Sequence, residues 1–434
     1  MTARLQALLA DAGLDRTLAG SLIMDGVPLD TIAAAAGTPT YVYRAAGIRD
    51  RYRALDRALE PIPHTLCYAV KANSTLAVLR LLADLGAGAD IVSGGELERA
   101  LAAGFAPERI VFSGVGKRPA ELRAAVAAGL GQINVESMEE LERLVAMAGS
   151  LDRPARIGLR VNPDVTTDTH PYISTGQHGI KFGVPADQVE DAARLVAATA
   201  GLRLTGLAVH LGSQLLSTAP YRAGLDRLLA LLPAVQAAAG GSLESLGLGG
   251  GLGIRYTGEE SVVSPEAFAA AILPGVRASG LHLHLEPGRC LVGSSGVLLC
   301  EVLYRKHAGG RDFVIVDAGM NDLVRPSHYG AYHEIVPLGS ASPEVQRVDV
   351  VGPICETGDF LALDRDLPAV AAGDRLAILG AGAYGMAMSS QYNSRPRPAE
   401  VLVDGRRWGI CRPRETTADL FRGEIATPFD GAPA

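Results

Sequence analysis

Between Leu66 and Leu285 the chain repeats one pattern, a short apolar run followed by a longer amphipathic stretch. The runs are Leu66–Val70, Ala89–Val92, Ile110–Phe112, Gln132–Val135, Ile157–Val161, Leu204–His210, Leu243–Leu248 and Leu281–Leu285. The stretches between them include Thr75–Leu85, Gly95–Ala103, Pro119–Ala128, Met138–Ala148, Pro185–Ala198, Tyr221–Ala238 and Pro265–Ser279, with apolar residues at helical spacing. The runs are rich in Val, Ile and Leu without strict alternation, as strands buried on both faces require. A doubly wound sheet gives a similar pattern. About eight βα units in succession favour a (β/α)8 barrel, which typically takes ~250 residues.

After Glu286 the texture changes. Runs such as Val297–Tyr304, Asp312–Val316, Gln346–Val351, Arg375–Leu379 and Glu400–Val403 are separated by Gly, Pro and Asp turns without long helical stretches. This predicts an antiparallel β-domain. The early run Thr40–Tyr43 is expected to pair with it. The domain reading is therefore a barrel over 46–285, with 1–45 and 286–434 forming the β-domain. The last residues, Asp430–Ala434, are expected to fray.

Bulk properties exclude several classes. The chain has 434 residues, enough for more than one domain, and is 48% hydrophobic. No apolar run reaches the ~20 residues of a membrane-spanning helix. The richest, Leu225 to Gly241, is broken by Asp226, Arg227 and Pro233. The N-terminus lacks the unbroken apolar core of a secretory signal. A soluble, cytoplasmic protein is expected. The net charge of −7, with both signs dispersed, offers no basic face for nucleic acid. The five cysteines form no CxxC pair, so neither a disulfide framework nor a zinc site is expected.

In a barrel, the C-terminal strand ends converge on one face, where catalytic groups gather. Lys71 ends the first run. Lysines are usually solvated surface residues. One at a strand tip points into the barrel mouth, where desolvation lowers its pKa and frees a nucleophilic amine. Gly249-Gly250-Gly251 follows the seventh run and Glu286-Pro287-Gly288-Arg289 the eighth. Most glycine clusters are only tight turns, but the loops after strands seven and eight are the recurrent phosphate site of this barrel. An amine, a phosphate cradle and a carboxylate–arginine turn are the parts needed to hold pyridoxal phosphate as a Schiff base. His210, ending the sixth run, is either a hydrogen-bonded strand-end histidine or a plate against a cofactor ring, with Ser213 reaching phosphate. His282 and His284 read as structural, because no third metal ligand is evident. Gly380–Gly385 matches GxGxxG, but the polar, Pro-broken segment after it leaves no room for a dinucleotide-binding βαβ unit.

From about Thr38 to Arg414 the chain resembles the diaminopimelate decarboxylase family of fold-type III pyridoxal-phosphate enzymes. The matching stretches are Tyr68–Asn73, Asp90–Glu96, His210–Gln214, Gly249–Gly253, Glu286–Arg289, Arg325–Tyr329, Cys355–Asp359 and Gly382–Gly385. The resemblance implies that Lys71 carries the cofactor and that His210 stacks on its ring. Asp90, Ser213, Gly249, Gly250, Gly251, Pro287, Gly288, Arg289 and Tyr384 join the cofactor site, and Glu286 faces the ring nitrogen. It implies that Arg289, Arg325 and Tyr329 bind the substrate's distal carboxylate. Glu356 receives its distal ammonium, Tyr384 touches it, and Cys355 returns a proton to Cα. It further implies a homodimer in which Cys355 and Glu356 come from the partner subunit. The reaction implied is decarboxylation of meso-2,6-diaminopimelate to L-lysine, the last step of lysine biosynthesis. His328 and Gly380 depart from the family pattern at positions without an implied role.

Competing readings are a sister decarboxylase for ornithine, arginine or a carboxylated polyamine such as carboxynorspermidine, a non-catalytic regulatory homologue, and an amino-acid racemase. Arg325 and Glu356 argue against the first, and the joint presence of Lys71, Glu286 and Cys355 argues against the second. The third leaves the distal arginines without a purpose.

Overall fold

The computed structural model describes residues 2–163 and 180–426. They fall into two compact units. The first contains the N-terminal segment as far as Gly13, then Arg44–Gly296, and Gly380–Ala387. The second contains Leu14–Tyr43, Val297–Leu379 and the chain from Met388. The sequence reading drew one barrel boundary pair, at 46 and 285; here 286–296 and 380–387 also group with the barrel, as does the helix Ala3–Ala12. Asp430–Ala434 lie outside the described residues.

The first unit is built on a closed barrel of eight strands. In chain order these are His64–Ala69, Gly88–Ile91, Ile110–Phe112, Gln132–Val135, Ala155–Arg160, Leu202–Ala208, Ser245–Gly247 and His282–Leu285. Neighbours pair in parallel, and the last closes on the first with Leu285 opposite Leu66. Each overlaps its expected apolar run. The intervening helices start and stop where local chemistry directs. Ser93, Ser137 and Ser264 accept hydrogen bonds from the backbone N–H three residues on, satisfying orphan donors at helix starts. Gly104, Gly129 and Gly280 end helices in the left-handed conformation that glycine adopts most cheaply.

Among the helices not anticipated, one bears on the barrel. Ala45–Leu59 precedes the first strand and buries Ile48, Tyr52, Leu55 and Leu59. It packs against both Pro265–Ser279 and Leu76–Asp84. It therefore fills the place in the outer ring that a helix after the eighth strand would occupy; only the single turn Arg289–Val292 follows that strand. The barrel interior is not wholly apolar. Gln132 Oε1 accepts from Thr205 Oγ1 and Ser245 Oγ, both at 3.1 Å, and Gln132 Nε2 donates to Asn134 Oδ1 at 2.8 Å. Pairing these buried polar groups with one another avoids the desolvation cost of leaving them orphaned.

The second unit holds a sheet in which Thr40–Arg44 lies between Gly296–Ala308 and Ala399–Asp404, so the N-terminal segment does enter the β-domain. The sheet is mixed rather than purely antiparallel, because Arg311–Val316 and Val345–Val351 pair in parallel. No helix among the described residues is long and apolar enough to cross a membrane.

Candidate functional site

Lys71 sits in a single 3-10 turn, Val70–Ala72, directly after the first barrel strand. Three contacts fix that turn. Ala69 N–H donates to the Pro287 carbonyl at 3.0 Å, tying it to the loop after strand eight. Tyr384 N–H donates to the Ala72 carbonyl at 2.8 Å, and Asn73 Nδ2 to the Gly382 carbonyl at 3.1 Å. The Gly380–Gly385 segment is thus a loop clasping the lysine turn, with Tyr384 at a positive φ of 56°.

The amine of Lys71 donates to Asp90 Oδ2 at 2.7 Å. Asp90, on the second strand, is fully buried, and its Oδ1 has no hydrogen-bond partner. The desolvation expected to lower the Lys71 pKa does pull it down. The Asp90 carboxylate, with Tyr384 and Glu286, outweighs it, so the pKa ends above the ordinary lysine value. The expected direction was wrong because it counted the amine's burial and not the anion beside it.

Glu286 follows the eighth strand and is 7% exposed. Burial, reinforced by the Asp90 charge, raises its carboxyl pKa to about 8. Lys71 and Arg160 oppose that rise, and His210 Nδ1 lies 3.8 Å from Glu286 Oε2. That histidine is itself held well below its ordinary pKa, by burial first and then by Arg160 and Lys71, so it is neutral at physiological pH. His210 Nδ1 accepts from the Gly250 N–H at 3.2 Å. The glycine loop admits no side chains: a Cβ on Gly250 would overlap the Glu286 carbonyl oxygen, and one on Gly251 the Gly212 carbonyl oxygen. Gly249 and Gly251 also sit at φ of 66° and 102°. Arg289 is buried; it donates to Ser213 Oγ at 3.0 Å and to the Tyr256 hydroxyl at 2.5 Å, and its guanidinium lies 4.8 Å from the Tyr384 ring centroid. The barrel unit therefore brings together Lys71, Asp90, His210, Ser213, Gly249–Gly251, Glu286–Arg289 and Tyr384.

The other expected residues belong to the second unit. Arg325 opens the short helix Arg325–Tyr329, is 6% exposed, and has Nη1 2.9 Å from His333 Nε2. Ser327 Oγ donates to the Gly358 carbonyl at 2.7 Å, joining this helix to the loop that carries Cys355 and Glu356. Asp359 shapes the loop by accepting from the Ile354 and Met320 N–H groups, each at 2.6 Å. Cys355 is an exposed free thiol, and Glu356 beside it is also exposed.

Sequence reasoning passed over a buried ion pair at the ends of two barrel strands. Arg160 Nη1 donates to Glu136 Oε1 at 2.8 Å, and the Glu136 carboxylate also accepts from the Gly114 N–H at 2.8 Å and the Gly183 N–H at 3.2 Å. Both charges stand at strand ends, so the rule that singled out Lys71 and Glu286 would have found them too.

Residues 45–293 match the family model described as the pyridoxal-binding domain of pyridoxal-dependent decarboxylases. A diaminopimelate decarboxylase of Pseudomonas aeruginosa is 50% identical over 407 residues, covering 94% of this chain and 97% of the relative. Among solved structures, the diaminopimelate decarboxylase of Helicobacter pylori complexed with L-lysine superposes with a TM-score of 0.87 at 40% identity, over 91% of this chain and 98% of that one. The diaminopimelate decarboxylase of M. jannaschii in co-complex with L-lysine gives 0.90 at 34% identity, over 96% and 98%. With sequence likeness and fold likeness spanning both units, the chain belongs to the diaminopimelate decarboxylase family of the pyridoxal-dependent decarboxylases.

Proposed function

We propose that the protein decarboxylates meso-2,6-diaminopimelate to L-lysine and carbon dioxide, using pyridoxal 5'-phosphate, as a cytoplasmic homodimer. One observation carries the cofactor reading: in the protein alone, a buried carboxyl, Glu286, is pushed up to about 8 within the same cluster as the Lys71 amine. Burial and the Asp90 charge outweigh the Lys71 and Arg160 cations that favour its ionised form, so the carboxyl has room for a further cation. A protonated ring nitrogen would supply one, and the side-chain-free glycine loop beside Ser213 and Arg289 suits a phosphate. The unpartnered Asp90 Oδ1 adds a further unsatisfied acceptor in the same place.

Lys71 would hold the cofactor covalently, with Gly249–Gly251, Ser213, Gly288, Arg289 and Tyr384 at its phosphate, His210 on its ring face, and Glu286 at its nitrogen. When bound, the cofactor supplies an electron sink for the pair left on Cα as carbon dioxide departs. Before Nζ can act as a nucleophile it must shed a proton, a loss that the Asp90 carboxylate 2.7 Å away opposes. A neutral His210 can lie against a ring without bringing a charge that competes with Glu286.

For the substrate, Arg289, Arg325 and Tyr329 would grip the distal carboxylate, and Glu356 the distal ammonium. Guanidinium forks match carboxylates in a bidentate way, so this set selects a diamino diacid over a plain diamine precursor. Cys355 would return the proton to Cα. Cys355 and Glu356 stand exposed on their own protomer, which supports the reading that they serve the partner's site. Borohydride reduction with peptide mapping, paired with an assay of lysine formation, tests the proposal. Label on Lys71 together with lysine release is expected; label elsewhere, or carbon dioxide release from ornithine but not from diaminopimelate, refutes it.

A further inference from the structure

Beside the loops assigned to the cofactor lies a separate cavity of about 430 Å³, formed within the barrel unit. None of Lys71, Asp90, His210 or Glu286 lines it. Its volume falls within the range of small-molecule sites. Leu252, Ile254, Val262 and Leu291 give it apolar walls, and Ala54 of the Ala45–Leu59 helix faces it.

Its charged lining is Arg44, Arg51 and Arg255 against Asp11 and Asp50, an excess of one cation. Arg255 is matched by Asp11, its Nη1 reaching both carboxylate oxygens at 3.3 and 3.1 Å. Arg51 is different. Its guanidinium donates to the Gly47 carbonyl at 3.2 Å, to Ser295 Oγ at 2.8 Å, and to the Asp11 backbone carbonyl. All three acceptors are neutral. A guanidinium carries five N–H donors, so two are left over. Burial holds the group below its ordinary pKa, against the Asp11 and Asp50 charges, which act on it without bonding it.

We infer that this cavity binds a small apolar monocarboxylate, of medium chain length or aryl type, with its carboxylate on Arg51 and its tail against the apolar walls. Leu252 follows Gly251 directly, and Cys290 and Leu291 follow Arg289. Ile254 is bonded both ways to Gln214, its N–H donating to Oε1 at 3.2 Å and its carbonyl accepting from Nε2 at 2.6 Å. The cavity wall is thus continuous with the three segments that would hold the cofactor. A ligand seated there stiffens them and slows cofactor release; this second effect rests on the function proposed above, whereas the binding does not.

The test is isothermal titration of the holoenzyme with octanoate, using octan-1-ol as the uncharged control. Octanoate should bind at least about tenfold more tightly than octanol, and Arg51→Met should remove that preference. Ala54→Trp, which fills the cavity, should abolish binding of both while leaving turnover intact, and it decides the matter if Arg51→Met does not fold. Equal affinity for the two probes, or octanoate binding undiminished in Ala54→Trp, overturns the site. Octanoate binding with an unchanged rate of cofactor release, followed as loss of the bound-cofactor absorbance, overturns the coupling. A purified protein that never shows that absorbance refutes the proposed function and leaves the octanoate titration as a valid test of the cavity.

Discussion

Replacing Glu286 by Gln should stabilise the cofactor-stripped protein, and only in neutral to alkaline solution. The folded carboxyl titrates near 8 against an ordinary 4.5, chiefly because it is buried and Asp90 is close. Between those values the folded state retains a proton that the unfolded chain has released, so stability falls as pH rises through the window. Each pH unit there costs about 1.4 kcal/mol, which reaches about 4 kcal/mol by pH 8.5. The amide carries no such cost. Denaturant unfolding of stripped wild-type and Glu286→Gln proteins should therefore agree within about 1 kcal/mol at pH 5 and separate by several kcal/mol at pH 8.5, with the variant more stable. Titrating groups remote from Glu286 are common to both proteins and cancel. Adding pyridoxal phosphate should reverse the order, because only the carboxylate pairs with a ring cation. A pH-independent difference, or a stripped variant that is the weaker protein at pH 8.5, would refute the reasoning.

Other expectations follow from the same geometry. Lys71→Ala should abolish borohydride labelling and lysine formation while leaving the far-ultraviolet circular dichroism unchanged. Arg325→Met should raise the KM for diaminopimelate by roughly 10- to 100-fold, the worth of a charged hydrogen-bonded contact, with a smaller effect on kcat in steady-state assays. Mixing inactive Lys71→Ala and Cys355→Ala subunits should restore roughly a quarter of wild-type activity if sites are shared across a two-fold dimer, and none if each subunit is self-sufficient. Ser264→Ala should cost about 1 kcal/mol in urea unfolding, because it removes the acceptor for the Ala267 N–H at the start of Pro265–Ser279.

The barrel was legible because its strands are short, buried on both faces and separated by helices at regular intervals. Ile110–Phe112 and Gln132–Val135 coincide with their apolar runs. The helix Ala45–Leu59 was also written in the sequence, with Ile48, Tyr52, Leu55 and Leu59 at helical spacing. It was missed because a helix before the first strand has no place in a strand-first count. The parallel pairing of Arg311–Val316 with Val345–Val351 left no local trace, since register between distant strands is set by packing. At the site, strand-end position found Lys71 and Glu286. The sign of the lysine's pKa depended on Asp90, nineteen positions later in the chain and adjacent only after folding.

The helix that completes the outer ring is made before any strand it must cover. Leu66 cannot meet Leu285 until roughly 220 further residues have left the ribosome, a delay of about 10–40 s at ordinary elongation rates. Throughout that interval the nascent chain carries an unclosed sheet margin, and the part of Ala45–Leu59 that packs against Pro265–Ser279 stays uncovered. Topology alone thus commits this polypeptide to a long vulnerable youth, in which its barrel has no way to close.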